Sequence, residues 1–343
     1  DLKNRLGNIF VGFTHQKEPV YARDLKAEGA MAALLKDAVK PNLVQAAEGT
    51  PALIHGGPFA NIAQGTNSVL ATRMAMTFSD YTVTEAGFGF DLGAEKFFDI
   101  KCVNAELSPK AVVLTATVRA LKYHGGADLK ELTTPDSDAV IRGLPNLEKH
   151  LENIHHFGIT PVIAVNRFTN DTEEELEVIR KRAEKLGIRC VVSDLWARGG
   201  EGAVELAREV AEVADTDPPV FQPMYDWNWD VKRKIETIAT RIYGAEHVDY
   251  QPQARKDLQK IADLGLESLP VCIAKTQKSL SDNPKLLGRP KDFIITVREI
   301  EIASGAGFLI PITGNIMRMP GLPARPASEQ IDIDMDGNIT GLM

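Results

Sequence analysis

Short runs of apolar and β-branched residues alternate along the chain with stretches whose apolar residues recur at helical spacing. The predicted strands cover residues 8–13, 52–55, 81–84, 111–117, 160–166, 188–193 and 270–275. Strands that alternate with amphipathic helices usually pair in parallel through crossover connections. The pattern therefore predicts an α/β fold with a mostly parallel sheet. Two later helices are predicted to end at Gly244 and Gly265.

Residues 160–215 give the clearest local prediction, a strand–helix–strand–helix unit. After the first strand, Thr172 and Glu175 have the spacing of a capping box. The helix that starts there is predicted to end at Gly187. The second strand ends at Ser193, and the next helix opens after a glycine-rich loop. Residues 215–219 interrupt the pattern and are predicted to form a linker.

Composition and charge exclude several functional classes. The chain has 343 residues, of which 44% are hydrophobic and 25% charged, as in an ordinary globular protein of about two to three domains. Its 39 basic and 47 acidic residues give a net charge of −8, which argues against a nucleic-acid partner. No apolar run reaches the roughly 20 residues of a membrane span. The three scattered cysteines indicate a reducing compartment, and we expect a cytoplasmic protein.

The first candidate site consists of the two loops that follow the strands of this unit, residues 166–171 and 194–202. In open α/β sheets, ligands bind beyond the carboxyl ends of the strands. Phe168 and Trp196 lie one in each loop and are predicted to stack on both faces of a flat heterocycle, or alternatively to pack back onto the core. The Asn166 side chain would hydrogen-bond the edge of a nucleotide base, or alternatively form a hydrogen bond within its own turn. Gly199 and Gly200 precede a helix and would hold an anion, or only form a tight turn.

The second candidate site is formed by two glycine-rich stretches, residues 49–68 and 85–95. Backbone amides there would bind an anion, unless the glycines only serve loops with positive φ angles. The spacing around Gly89 and Gly93 differs from the dinucleotide fingerprint. Arg119, Lys122 and His124 follow another strand and would jointly neutralise a phosphate or carboxylate, or start a solvated helix.

Two other patterns do not predict a site, and one common motif is absent. Residues 332–339 imitate half of a calcium loop, but they alternate like strands and predict a hairpin with an Asp336–Gly337 turn. His155 and His156 are adjacent, so they diverge on a helix and form a poor metal pair. We therefore predict no metal site built by the chain itself. The sequence contains no Gly-Lys dipeptide and hence no Walker A loop.

Long motifs of this chain resemble those of the formate–tetrahydrofolate ligases, also called formyltetrahydrofolate synthetases. The matching runs are residues 48–68, 85–102, 117–126, 166–168, 196–202, 270–290 and 319–323. The resemblance implies conversion of ATP, formate and tetrahydrofolate to ADP, phosphate and 10-formyltetrahydrofolate through formyl phosphate. It also implies Mg²⁺, a monovalent cation (K⁺ or NH₄⁺) and a homotetramer.

The resemblance gives the candidate residues their roles. It implies that Phe168 and Trp196 sandwich the pterin ring of tetrahydrofolate. Arg119 and Arg198 are then candidates to contact phosphate as catalytic residues. The candidates for nucleotide binding are Asn166, Gly199, Gly200, Gly202, Gly89 and Gly93.

The chain departs from the family pattern in ways that bear on activity. It resembles about the last three-fifths of a full enzyme and lacks the upstream phosphate-binding loop. Gln64 stands where the family usually has His, Phe90 where it has a small residue, and Thr115 where it has Val. Phe90 would then fill part of the cleft. The alternative function is a non-catalytic folate- or nucleotide-binding module that needs a separate N-terminal partner.

The implied architecture is an α/β fold with three domains. Residues 1–152 would be the remainder of a nucleotide-binding domain with a parallel sheet of the P-loop NTPase-like type. Residues 153–236 would carry the folate-stacking loops, and residues 237–343 would form a C-terminal α/β domain. Because missing upstream strands would expose sheet edges, we expect instability or association unless they are supplied.

Overall fold

The computed structural model describes residues 1–60, 62–216, 220–316, 325–333, 335 and 339–341. Its strands are β1 (Phe10–Phe13), β2 (Pro19–Tyr21), β3 (Asn42–Gln45), β4 (Pro51–Ile54), β5 (Val112–Ala116), β6 (Pro161–Asn166), β7 (Arg189–Ser193), β8 (His247–Tyr250), β9 (Ile294–Ala303), β10 (Phe308–Thr313), β11 (Asp332–Ile333) and β12 (Ile339–Thr340).

The α-helices are α1 (Leu2–Gly7), α2 (Glu28–Leu34), α3 (Val69–Phe78), α4 (Val103–Ala105), α5 (Val118–His124), α6 (Ser137–His156), α7 (Glu173–Lys185), α8 (Leu195–Arg198), α9 (Val204–Thr216), α10 (Val231–Thr237) and α11 (Pro252–Asp263). Three π-helical segments cover Phe90–Ala94, Phe97–Cys102 and Ile238–Tyr243. In the described part of the chain, none of the helices has the length and apolar character that crossing a membrane requires.

A three-stranded parallel sheet organises the middle of the chain. Its order is β5-β6-β7, so the three strands are neighbours in space as well as in sequence. The predicted α/β class and the strand–helix–strand–helix unit are confirmed. Thr172 and Glu175 form the predicted capping box, and the helix ends before Gly187, whose φ is 67°.

Helices α5, α6 and α7 supply the apolar side chains that cover this sheet. The buried cluster consists of Ala116, Val118, Leu121, Val140, Leu144, Leu147, Leu151, Ile163, Val165, Leu176, Ile179 and Ala183. Helices α5 and α6 approach closely at Gly143, where an added Cβ would lie 2.0 Å from the carbonyl oxygen of Leu121. The start of α5 is thereby set against the sheet.

A second core lies towards the C-terminal end. Helix α10 and the π-helical segment after it pack with β8, β9 and β10, and the sheet order is β10-β9-β8. Two predicted helix ends are confirmed. The helical segment after α10 ends at Gly244, and α11 ends before Gly265. The long strands β9 and β10 were not among the sequence predictions. The two strands pair antiparallel. Bridges from β10 to Val271 and Ala274 place this hairpin next to residues 271–274.

Two predicted strands are wrong. Residues 81–84 form no strand, and Tyr81 and Val83 are 53% and 89% exposed, so their apolar pattern reflects an exposed extended segment. Residues 270–275 make only isolated bridges, Val271 with Leu309 and Ala274 with Ile312.

The predicted hairpin near the C-terminus is seen as the antiparallel pair β11–β12. Its turn at residues 336–337, the run 319–323 and part of the linker at 217–219 lie outside the described residues.

The first third of the chain exposes many large apolar side chains. Hairpins β1–β2 and β3–β4 are separate two-stranded sheets. Leu34, Leu43 and Phe78 are 86%, 69% and 78% exposed. Apolar surface of this extent is typical of a face that meets another protein surface. The division into three domains stays a prediction.

A buried ion pair ties helix α5 to helix α7. The ammonium of Lys122 lies 2.8 Å from a carboxylate oxygen of Glu175, and the side chains are 1% and 0% exposed. Lys122 also donates to the carbonyl of Thr134, at 2.9 Å. Glu175 accepts the backbone N–H groups of Asp136 and Thr172, at 2.9 and 3.0 Å. Burial raises the pKa of Glu175, but these hydrogen bonds outweigh it and lower that pKa to about 2.

We expect Glu175→Gln to lower the free energy of unfolding by about 3–5 kcal/mol, because it leaves the buried Lys122 ammonium without its carboxylate. Urea unfolding measures this difference. The matched control is Glu174→Gln, since Glu174 is the exposed neighbour on the same helix and should change the value by less than about 0.5 kcal/mol. Equal stabilities of the two variants would contradict the role of the pair.

Candidate functional site

Three loops meet at the carboxyl edge of the parallel sheet. Thr117 follows β5 and caps α5 by accepting the N–H of Ala120 at 3.0 Å. The loop after β6 leads to α7, and the loop after β7 leads through the short α8 to α9. Because the strand order is β5-β6-β7, the three loops follow one another along the edge in that order.

The loop after β6 is tightly held. The Phe168 N–H donates to the buried carboxylate of Asp171 at 2.8 Å, and the Asp171 N–H donates back to the Phe168 carbonyl at 3.0 Å. The Phe168 ring is half-buried, and the guanidinium carbon of Arg119 lies 4.6 Å from its centroid. The sequence placed Phe168 at this edge, but it did not predict that Arg119 would cover the ring.

The loop after β7 presents the second predicted aromatic ring to solvent. Trp196 lies in α8 and is 75% exposed, so it does not pack back onto the core. Arg198, at the end of the same helix, is also exposed. The two aromatic residues thus follow adjacent strands, as predicted, with Trp196 open to a ligand.

The glycine-rich part of this loop already holds a carboxylate. The Gly200 N–H donates to an oxygen of Glu48 at 2.6 Å, and Glu48 lies in the turn between β3 and β4. An ideal Cβ at Gly200 would stand 2.0 Å from that carboxylate, and one at Gly199 2.6 Å. The geometry shows that this amide accommodates an anionic group. No local pattern predicts this contact, because 152 positions separate the two residues.

The remaining polar candidates at this edge have different surroundings. Asn166 ends β6, is half-buried and pairs in register with Ser193. The Ser193 hydroxyl is buried and has no hydrogen-bond partner among the described residues. Sequence reasoning missed Ser193, although its place as the last residue of β7 was a usable signal. Gly202 packs closely, since a Cβ there would lie 2.3 Å from the Asp194 carbonyl oxygen.

The predicted cationic trio does not converge on one anion. Lys122 forms a buried ion pair with Glu175. The ring nitrogen of His124 accepts the N–H of Gly288 at 3.1 Å. Arg119 contacts the Phe168 ring instead. Each of the three side chains thus has a different partner, although Arg119 and Lys122 lie one helical turn apart.

The second candidate site is packed rather than open around Gly89 and Gly93. A Cβ on Gly93 would lie 1.7 Å from the Gly87 carbonyl oxygen, and one on Gly89 2.6 Å from a carboxylate oxygen of Asp91. Phe90 is 4% exposed and packs against Phe98 and Phe157. Phe90 therefore fills the core, and the expectation that it fills the cleft is wrong. The nucleotide-binding role of these two glycines stays a prediction.

Buried charges lie directly behind these glycines. Asp91 pairs with the fully buried Lys275 at 2.7 Å. Glu95 and Asp99 are both 0% exposed, and three of their four carboxylate oxygens have no hydrogen-bond donor among the described residues. The fourth, on Asp99, accepts the Met224 N–H at 2.7 Å.

These two carboxyl groups favour their protonated forms. Burial, followed by the charge of Asp99, raises the pKa of Glu95 well above its ordinary value, and the Lys96 ammonium opposes this only in part. Burial also raises the pKa of Asp99 to about 7, against the opposing effect of its bond from Met224. A protonated carboxyl group carries an O–H donor, which a carboxylate lacks. Within the described residues, no group of three or more His, Cys, Asp or Glu side chains could hold a metal ion.

We expect Gly93→Ala to lower the free energy of unfolding by about 3 kcal/mol, because the added Cβ meets backbone atoms that cannot rotate away. The matched control is Gly12→Ala, since an added Cβ there meets no atom within 4 Å. Chemical unfolding of both variants checks the packing role. A Gly93→Ala protein as stable as the control would leave ligand binding as the reason for the glycine.

We expect Asp99 to contribute a decrease in the free energy of unfolding as the pH rises from about 4 to about 7. The folded protein keeps the Asp99 proton up to about pH 7, whereas the unfolded chain releases it near 3.8, so the folded state binds more protons in this range. Asp99→Asn should reduce this decrease, and Asp263→Asn, at an exposed helix end, should not. Urea unfolding between pH 5 and 8 measures it, and identical slopes for the two variants would contradict the assignment.

Comparison with known families agrees with the sequence motifs. The family model described as formate–tetrahydrofolate ligase matches residues 1–343, which is the full length of the chain. The match includes the three loops at the carboxyl edge of the sheet and the buried segment around Asp99. The chain therefore belongs to the formate–tetrahydrofolate ligase family.

Proposed function

We propose that the protein forms 10-formyltetrahydrofolate from formate, tetrahydrofolate and ATP, with the folate held between Phe168 and Trp196. The observation that carries the proposal is the position of these two rings at the ends of adjacent strands, with Trp196 exposed. A flat ring stacked between two others needs about 7 Å, twice the contact distance of carbon atoms. Loops from strands about 4.8 Å apart can open to this width.

The proposed reaction has two steps. A formate oxygen attacks the γ-phosphorus of ATP, the bond to ADP breaks, and formyl phosphate forms. The N10 amine of tetrahydrofolate then attacks the formyl carbon, phosphate leaves, and the amine releases its proton. Holding the two reactants side by side supplies much of the acceleration in such transfers.

The loop after β7 supports the nucleotide part of the proposal. The Gly200 amide bonds a carboxylate of the chain itself, so a phosphate oxygen of the nucleotide can take the same place when Glu48 withdraws. Asn166, Gly199 and Gly202 line the same edge and complete the proposed nucleotide contacts. Arg198 is exposed beside them and is the candidate for neutralising phosphate.

The proposed cofactors are Mg²⁺ and a monovalent cation, K⁺ or NH₄⁺. The described residues offer no cluster of three metal-ligating side chains, and Mg²⁺ in nucleotide sites takes many of its ligands from phosphate and water. We therefore assign no protein ligands to either ion and route no step of the reaction through them.

The proposal extends to the assembly. The β5-β6-β7 sheet would belong to a P-loop NTPase-like domain, and the protein would act in the cytoplasm as a homotetramer. A second candidate is a binding module that needs a separate N-terminal partner. The observations that favour it are the lack of a Gly-Lys dipeptide and the exposed apolar side chains of the first third. Ligase activity of this chain without any added polypeptide would exclude the second candidate.

We expect Phe168→Leu and Trp196→Leu each to raise the Kd for tetrahydrofolate about fivefold to thirtyfold, since each removes about 1–2 kcal/mol of stacking. Isothermal titration calorimetry under nitrogen measures the Kd. The control is Phe78→Leu, because Phe78 is as exposed as Trp196 and lies at the end of α3. Unchanged tetrahydrofolate affinity in both site variants would overturn the proposed folate site.

A further inference from the structure

Arg119 and Phe168 form a contact that the proposed chemistry does not use. Arg119 lies in the first turn of α5, directly after β5, and its guanidinium carbon stands 4.6 Å from the Phe168 ring centroid. Both side chains are half-buried. At this distance a guanidinium is attracted to the face of an aromatic ring and restricts its rotation.

The strand order determines which side of the ring Arg119 takes. Arg119 follows β5, Phe168 follows β6 and Trp196 follows β7, and β6 is the middle strand. The strand order therefore places Arg119 and Trp196 on opposite sides of Phe168 along the sheet edge. The guanidinium covers one face of the ring, and in the proposed site the other face receives the ligand.

The position of Arg119 is fixed independently of any ligand. Lys122 lies one helical turn after Arg119, and its ion pair with Glu175 joins α5 to the first turn of α7. The Phe168 backbone is held by Asp171 just before that helix. Cation and ring are thus attached to two helices that a buried ion pair locks together.

One donor of the guanidinium, its Nε atom, is poorly placed to serve a phosphate. Its Nε atom is buried and has no acceptor among the described residues. A ligand oxygen cannot reach a buried Nε unless the side chain leaves the ring. The contact that the structure shows for this guanidinium is the Phe168 ring, and not an anion.

We infer that Arg119 is a positioning residue that backs the Phe168 ring from the β5 side and so sets the plane on which the pterin of tetrahydrofolate stacks. This inference rests on the proposed function of Phe168 and Trp196. It replaces the phosphate-binding role of Arg119 with a role in folate affinity.

The test compares Arg119→Met, Arg119→Lys, Phe168→Leu and the double variant Arg119→Met/Phe168→Leu. Calorimetry gives the Kd of each for tetrahydrofolate and, separately, for ATP. We expect Arg119→Met to raise the Kd for tetrahydrofolate about threefold to tenfold. The Kd for ATP should stay within about twofold. Arg119→Lys should restore part of the affinity, since an ammonium also binds a ring face, and it remains informative if the methionine variant does not fold.

The double variant supplies a readout that a general structural effect would not give. If Arg119 acts through the ring, its loss adds nothing once Phe168 is leucine, and the double variant binds tetrahydrofolate like Phe168→Leu alone. The matched control is Arg180→Met, on α7 and outside the candidate site, where the guanidinium lies 3.7 Å from the carboxylates of Glu173 and Glu177. It should leave the tetrahydrofolate Kd within about twofold.

Different results would contradict the role of Arg119 and the proposed folate site. Additive effects of the two substitutions, or a loss of ATP affinity with unchanged tetrahydrofolate affinity, would overturn the positioning role and return Arg119 to a phosphate contact. Unchanged tetrahydrofolate affinity in Phe168→Leu would instead overturn the proposed folate site itself.

Discussion

The buried Lys122–Glu175 pair is the interaction on which the geometry of the sheet edge depends. Moving two charges into the interior costs more free energy than their attraction alone returns, so such pairs persist only where further hydrogen bonds satisfy both groups. Here the Glu175 carboxylate accepts backbone N–H groups from Asp136 and Thr172 in addition to the ammonium. The pair is therefore better understood as fixing an orientation than as adding stability. It relates the start of α5 to the start of α7 and so relates Arg119 to Phe168.

The other side of the site is held far less firmly. Helix α8, which carries Trp196, is only four residues long, and its ring is exposed. The glycine-rich loop beyond it is bonded by Glu48, which comes from a two-stranded hairpin with few buried residues. A ligand that stacks on Phe168 thus meets one rigid wall and one wall that can adjust. In the proposed site, an anionic ligand group would compete with Glu48 for the Gly200 amide, and this would couple ligand binding to the position of the β3–β4 hairpin.

The sequence predicts features that depend on local chemistry and fails where the partner is distant. The capping box of Thr172 and Glu175 is local, and its prediction is confirmed. Grouping Arg119, Lys122 and His124 by proximity in sequence failed, because Lys122 binds a residue 53 positions away and His124 one 164 positions away. Residues 81–84 have the composition of a strand, yet no strand forms, since β-branched residues report a preference for extended backbone and not the presence of a partner.

The function of a glycine in the site is also hard to predict from the sequence. A glycine allows both close packing of the backbone and close approach of a ligand. The structure separates the two uses by what surrounds each position. Gly93 faces the backbone of Gly87 with no room for a side chain, whereas the Gly200 amide binds a carboxylate from a distant exposed turn. Only the second arrangement leaves a polar backbone group that an external anion can satisfy once the internal one moves. We therefore expect phosphate binding in the loop after β7, next to Trp196.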